Sequence, residues 1–411
     1  MSELIPHAGR IGRYELVKRL AVGGMADIWL AQEFTDRGYE RTAVVKTIRG
    51  DLVDEEDLLQ MLFDEARIAR CLKHENIVEL YDVGEQDDTH YMAMEFVFGR
   101  DLRQIRDLCL EQGIVIPFEH VVTIIIAVLE ALQYAYHEAT YDGRLLNVIH
   151  RDVSPQNIII GFDGRVKLLD FGIAKASAQM SRTRAGVLKG KYGYMAPEQV
   201  DLKVLDQRAD LFSAGIVLWE MLTFKRLFYR KNEYDTVKAV LDCRVPFPRS
   251  IRKDIPWRLA LIAFRVLQRN PRWRYRDARH MVDTLKTWPE WDAQNAHANL
   301  AEWMADLYSD ELRARDANLL RVTEEPTMHR RIRDAGFELV EEPTYRGEIP
   351  KSPSPGFGHF TVTSRLNSQK RQHGMLGIIL SAVEEGRGFY VALLLLVGIA
   401  FGIGTYLASL Q

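Results

Sequence analysis

The sequence predicts an α+β chain of two lobes, followed by one membrane-spanning helix. Three observations predict it. Strand-like runs separated by glycine and polar turns fill residues 14–98. After Gly99 the apolar pattern turns helical and stays so to about Trp288. Phe389 to Leu410, "FYVALLLLVGIAFGIGTYLASL", is 22 residues without a charge. The 411 residues are 47% hydrophobic and 27% charged, a globular composition sized for two or three compact units. A net charge of −3 shows none of the basic excess of a nucleic-acid binder, so no nucleic-acid partner is expected. Cys71, Cys109 and Cys243 are odd in number and match no metal spacing, so they read as reduced thiols of a cytosolic environment. "MSELIPHAGR" lacks the apolar core of a secretory signal.

The elements follow in order. "YELVKRLAVGGMADIWLAQE" is two strands joined by a glycine turn, and "RTAVVKTI" is a third. "LLQMLFDEARIARCL" is a helix, and "IVELYDVGEQDDTHYMAMEFV" gives two more strands. In the second lobe, residues 99–288, "FEHVVTIIIAVLEALQYAYHEA", "ADLFSAGIVLWEML" and "WRLALIAFRVLQ" are helices. Residues 289–322 form a helical extension whose Leu300, Trp303, Met304, Leu307 and Tyr308 share one face, expected to dock on the second lobe. Residues 323–388, rich in Pro, Gly, Ser and charge, read as a flexible juxtamembrane linker. Residues 389–410, as a helix, span roughly 33 Å, about one hydrocarbon core. Arg387, Lys370 and Arg371 precede the span and only Gln411 follows, so the large N-terminal part is expected to face the cytoplasm.

Chemistry enters with buried charge. Leu58, Leu62, Ala69 and Leu72 make an inward helical stripe, and Glu65 falls in the middle of it. A carboxylate there costs several kcal/mol unless a cation meets it. Lys46, near the end of the apolar strand "TAVVK", is the available cation. The "GGMA" turn is able to bring backbone amides to phosphates. In "VIHRDVSPQN", Asp152 is a candidate proton acceptor and Asn157 a candidate metal ligand. The hairpin "IIIGFDGRVKLLD", with "DG" at its tip, returns Asp170 to the same end as Asn157. An amide and a carboxylate together suit a hard cation that bridges phosphate oxygens.

The ordered segments "AVVK", "HRDVSPQN", "DFG" and "APE", with "DLFSAG" after them, resemble the eukaryotic-type protein kinase family over residues 14 to about 288. The "GGMA" turn is similar to that of bacterial Hanks-type serine/threonine kinases held on the inner membrane by one helix. The resemblance implies the two-lobe protein kinase fold, ATP and Mg2+ as cofactors, and protein Ser/Thr hydroxyls as substrates. It implies that Lys46 orients the ATP phosphates and pairs with Glu65, that Asp152 is the catalytic base, and that Asn157 and Asp170 hold magnesium. The nucleotide would lie under the loop formed by Leu20, Ala21, Val22, Gly23, Gly24, Met25, Ala26, Asp27 and Ile28. Met94 would be the gatekeeper, with Glu95 to Val97 as the hinge. Glu198 should pair with Arg274, and Asp210 should anchor the catalytic loop.

Four departures qualify the resemblance. The glycine loop keeps Gly23 but has Ala21 and Ala26 where the family has glycines, which implies slower nucleotide exchange. Val44 stands where the family often has alanine and narrows the adenine pocket. Ser154 stands where such kinases place a lysine, and Lys191 stands where they place a threonine. The two partners read as exchanged, with Lys191 supplying the charge that position 154 lacks; the alternative is a Lys191 that faces solvent and contributes to peptide binding. Arg151 implies control by phosphorylation of the segment from Ile173 to Tyr194, with Thr183 favoured over Ser177 and Ser181. Pro155 and the lack of "AAR" or "RAA" look like a Ser/Thr rather than a tyrosine kinase. The rival is a pseudokinase acting as a membrane-held scaffold. The set Lys46, Glu65, Asp152, Asn157 and Asp170 opposes it. A small-molecule phosphotransferase is opposed by the segment from Asp170 to Asp210. Gly398 and Gly402, and Gly404 and Ala408, have the spacing of a membrane-helix homodimer contact.

Overall fold

The computed structural model describes residues 9–22, 26–35, 38–48, 66–87, 89–171, 192–309 and 312. Glu65, Gly23 to Met25, Thr183, Lys191, the linker 323–388 and the expected span 389–410 lie outside the described residues.

The first lobe is one antiparallel sheet. Its strands are β1 Arg10–Ile11, β2 Tyr14–Val22, β3 Ala26–Thr35, β4 Gly38–Ile48, β5 Leu80–Gln86 and β6 Thr89–Glu95, in the order β1-β2-β3-β4-β6-β5. Period-two alternation decides the two faces of β4. Ala43 and Val45 turn into a small core with Tyr14, Ala31, Tyr91 and Ala93. Val44 and Lys46 therefore turn to the other face. Across it, Val44 sits opposite Leu30 and Met94, and Lys46 sits opposite Ile28 and Met92. The alanines on the core side let the sheet close tightly, while the larger side chains line the face toward the second lobe.

The second lobe is built on two nearly encircled helices. Helix α1, Leu102–Gln112, starts at a capping box between Asp101 and Gln104 and ends at Gly113 in the left-handed conformation. Helix α2, Phe118–His137, is apolar and long enough to cross a membrane, but it is mostly buried and is the centre of the lobe. Helix α3, Arg208–Thr223, is buried along its whole length and carries Asp210 and Glu220 inside. Helices α4 Glu233–Asp242, α5 Trp257–Val266 and α6 Ala278–Lys286 complete the lobe around them.

Between the lobes, β7 Gly99–Asp101, β10 Ile158–Gly161 and β11 Val166–Leu168 form a three-stranded sheet with β10 in the middle. The β10–β11 turn contains Asp163 and Gly164, and Gly164 has φ +78°. A Cβ at Gly164 would stand 2.0 Å from the His297 carbonyl, so only glycine fits both the turn and that neighbour. His297 belongs to helix α7, Ala296–Leu307. Leu300 and Met304 of α7 are fully buried, Trp303 lies over His120 of α2 at 5.3 Å, and Tyr308 packs edge-on against Phe162 at 5.6 Å.

Candidate active site

The loop between α2 and β10 is shaped by one buried acid. Asp210, near the start of α3, accepts the N–H of His150 at 2.7 Å and of Arg151 at 2.8 Å. Burial pushes the Asp210 carboxyl up to about 7, against the pull of those two N–H groups and the Arg151 charge. Arg151 has φ +64°, a left-handed conformation that costs about 1 kcal/mol or more and is held by its partners. Its carbonyl accepts from the Gln199 side chain at 3.0 Å. The His150 ring is fixed from both sides: Nδ1 accepts the Asp152 N–H at 3.2 Å, and Nε2 donates to the Leu169 carbonyl at 2.8 Å. Phe171 is buried against that ring, centroids 4.5 Å apart.

This frame sets the reactive side chains. Asn157 Nδ2 donates to the Asp152 carbonyl at 2.7 Å and to Asp152 Oδ2 at 3.0 Å, so the amide fixes the carboxylate's orientation. Asp170, with φ +42°, leaves β11 just before Phe171 and points its half-exposed carboxylate toward Lys46, Oδ2 to Nζ 3.9 Å. Lys46, Asp152, Asn157 and Asp170, far apart in sequence, are thus linked through one loop and one hairpin. Asn157 and Asp170 offer hard oxygen donors, one amide and one carboxylate. That set fits Mg2+, which is commonly held by one or two carboxylates with phosphate oxygens completing its shell. No cluster of three His, Cys, Asp or Glu occurs among the described residues, which is consistent with a metal that needs its substrate to complete the site.

The other predicted positions distribute around this centre. Leu20, Ala21 and Val22 end β2, with Val22 exposed; Ala26, Asp27 and Ile28 begin β3. Ala21 pairs with Ile28 and Val22 with Asp27, so the loop tip between them is Gly23 to Met25. Met94 ends the sheet beside Val44. Val97 is half-buried in the segment that joins β6 to β7. The Glu95 side chain turns to the opposite face from Val44, where Oε2 accepts from Lys167 Nζ at 2.7 Å and from the Glu79 N–H at 3.2 Å. A nucleotide contact at Glu95 is therefore left to its backbone. The Ser154 hydroxyl is buried and has no hydrogen-bond partner among the described residues. Glu198 and Arg274 form a two-pronged pair at 2.5 and 2.8 Å.

Sequence reasoning missed three supports of the site: the ring contacts of His150, the Lys167–Glu95 pair, and the Tyr194 hydroxyl donating to buried Glu220 at 2.7 Å. Only Glu220 carried a signal, as a lone acid inside the apolar helix "IVLWEML".

A family model for the protein kinase domain matches residues 14–310. The tyrosine-protein kinase MasK of Myxococcus xanthus is 39% identical over 69% of this chain and 44% of its own length. A probable serine/threonine-protein kinase of Clostridium perfringens is 33% identical over 67% of this chain and 38% of its own. The serine/threonine-protein kinase PrkC of Bacillus subtilis is 29% identical over 67% and 40%. The chain thus spans about two fifths of the length of these curated relatives. The crystal structure of the Mycobacterium tuberculosis PknI kinase domain superposes with a TM-score of 0.52 at 24% identity, covering 69% of this chain and 98% of that one. The likeness falls on the two lobes that bring Lys46, Asp152, Asn157 and Asp170 together, and the chain belongs to the protein kinase domain family.

Proposed function

We propose that the chain is a serine/threonine protein kinase that transfers the terminal phosphoryl group of ATP to protein hydroxyls. The observation that carries the proposal is the convergence of Lys46, Asp170, Asn157 and Asp152. Asp152, oriented by Asn157, takes the proton of the attacking hydroxyl. Lys46 holds the nucleotide's phosphate oxygens. Asn157 and Asp170 would hold magnesium, which when bound neutralises charge on those oxygens. Full-length protein given labelled ATP and magnesium should phosphorylate itself or a general protein substrate. Asp152→Asn should lower the rate by about a hundredfold or more. Equal rates in parent and Asp152→Asn would leave the pseudokinase reading in place. Because MasK is named a tyrosine kinase, acid hydrolysis of the product should identify the acceptor; phosphotyrosine alone would refute the Ser/Thr assignment.

Finer readings accompany it. Lys191 supplies the cation absent at position 154, supported by a buried Ser154 oxygen with no described partner. Lys191→Ala and Lys191→Thr should both slow transfer at saturating ATP, and unchanged rates end the idea. Thr183 is the regulatory acceptor, refuted if Thr183→Ala activates normally on incubation with ATP. The C-terminal run anchors the chain in the inner membrane with the kinase lobes in the cytoplasm, and extraction by carbonate wash would refute it. Gly398 and Gly402 pair two copies there; undiminished crosslinking of Gly398→Leu/Gly402→Leu refutes that.

A further inference from the structure

Helix α5 buries one face, Leu259, Ala260, Ile262, Ala263 and Val266, and leaves another to solvent. On the outer face Trp257, Leu261 and Phe264 recur at helical spacing and are 61%, 36% and 38% exposed. Phe247 joins them, its ring 5.6 Å from Trp257 and 5.7 Å from Phe264, so the four side chains form one continuous patch. Large apolar side chains grouped this way on a surface mark an interaction site.

The charge around the patch is one-sided. Residues 244–279 hold eleven arginines and lysines against two aspartates, in a chain whose net charge is −3. Arg249 lies over the Trp257 ring at 4.6 Å. Several guanidiniums here are engaged with backbone oxygens: Arg249 with Ile255, Arg252 with Leu222 at 3.1 Å, and Arg258 with Thr287 at 2.7 Å. Arg252 also pairs with Asp254 at 2.7 Å, the one acid close to the patch in sequence. Cations tied down in this way give a diffuse positive field rather than open forks for individual phosphates, which weighs against a nucleic acid. A second copy in a two-fold pair would set like charge against like. An aromatic and aliphatic face rimmed by fixed cations matches a surface that is negative at its headgroups and apolar just below them.

We infer that the α5 face, with Phe247, docks the second lobe onto an anionic lipid bilayer. The inference goes beyond phosphoryl transfer, and its test does not read activity. Full-length protein is placed in nanodiscs of phosphatidylcholine alone or mixed with phosphatidylglycerol, and amide exchange is followed over residues 257–265. Exchange should slow only with the anionic lipid, and the slowing should vanish in high salt. Lys253→Ala should reduce that protection about fivefold, the effect of about 1 kcal/mol per surface cation. Trp257→Ser/Phe264→Ser should abolish it while phosphorylation of a soluble substrate in detergent is unchanged. If the chain does not insert, cosedimentation with vesicles of the same two compositions gives the same comparison. Equal exchange in both lipids overturns the inference. So does protection that appears without lipid on raising protein concentration, or only on adding an acidic protein or a nucleic acid.

Discussion

Arg274 shows how completely one side chain is determined by its surroundings. A guanidinium has five N–H donors. Here they meet Glu198 Oε1 and Oε2 and the carbonyls of Gln268, Arg208 and Arg269 at 2.5–3.1 Å, and the side chain is fully buried. Lysine has three donors and no fork, so it leaves at least two of these acceptors unmet. Arg274→Met should cost about 3–5 kcal/mol in urea unfolding, because it strands the Glu198 carboxylate. Arg274→Lys should cost less than Arg274→Met; equal stability of Arg274→Met and parent would contradict the ion-pair account. The Glu198–Arg274 pairing was readable in the sequence through the family resemblance. The three carbonyl partners were not, since no side-chain pattern marks where a backbone oxygen will lie.

At the scale of elements, α7 is the informative one. Its apolar stripe, Leu300, Met304 and Leu307, was legible from spacing alone, and the structure buries it. What spacing did not disclose is the surface it meets. His120 is an unremarkable polar residue near the start of an apolar helix, yet it lies buried under Trp303. Burial lowers its pKa to about 4, and Glu119, 3.9 Å away but about half exposed, does not offset the desolvation. The folded pKa is below the unfolded one, so the unfolded chain takes up a proton first as pH falls. The contribution is present in full above about pH 6.5 and is lost between there and about 4, up to about 3 kcal/mol. The melting temperature should therefore fall on acidification through that window, and His120→Gln should flatten the fall. An identical pH profile in both proteins would refute this source. Secondary-structure period also misjudged nothing in β4: alternation alone put Lys46 and Val44 on the site face.

At the scale of the whole molecule, the lobes are joined by few strong contacts. Segment 76–78 meets β11 through the Val78–Leu168 and Leu168–Asn76 backbone bonds, 3.1 and 2.8 Å. Lys167 adds its bonds to Glu95 and to the Ile77 carbonyl. Lys167→Met strands Glu95 at this junction and should cost about 3 kcal/mol of stability. ATP affinity should weaken with it, since Glu95 belongs to the segment that connects the sheet to the second lobe; titration calorimetry checks the second effect, and unaltered affinity would separate the junction from the nucleotide site. Two lobes and their order were legible because each has its own hydrophobic period. Their junction was not, because Lys167 and Glu95 lie 72 residues apart and each looks like an ordinary strand polar residue. The cationic stretch 244–279 was also obscured, since summing charge over 411 residues cancels it against acids elsewhere.

The seating of α7 also fixes where a recombinant piece of this protein should be cut. A truncation at Trp288, where the apolar rhythm of the second lobe fades, would strip the cover from His120 and Phe162 and leave Thr123 without the Trp291 indole that donates to it at 3.0 Å. Such a fragment would come out of expression sticky and short-lived, whereas a stop codon placed beyond Leu312 keeps the greasy seam closed.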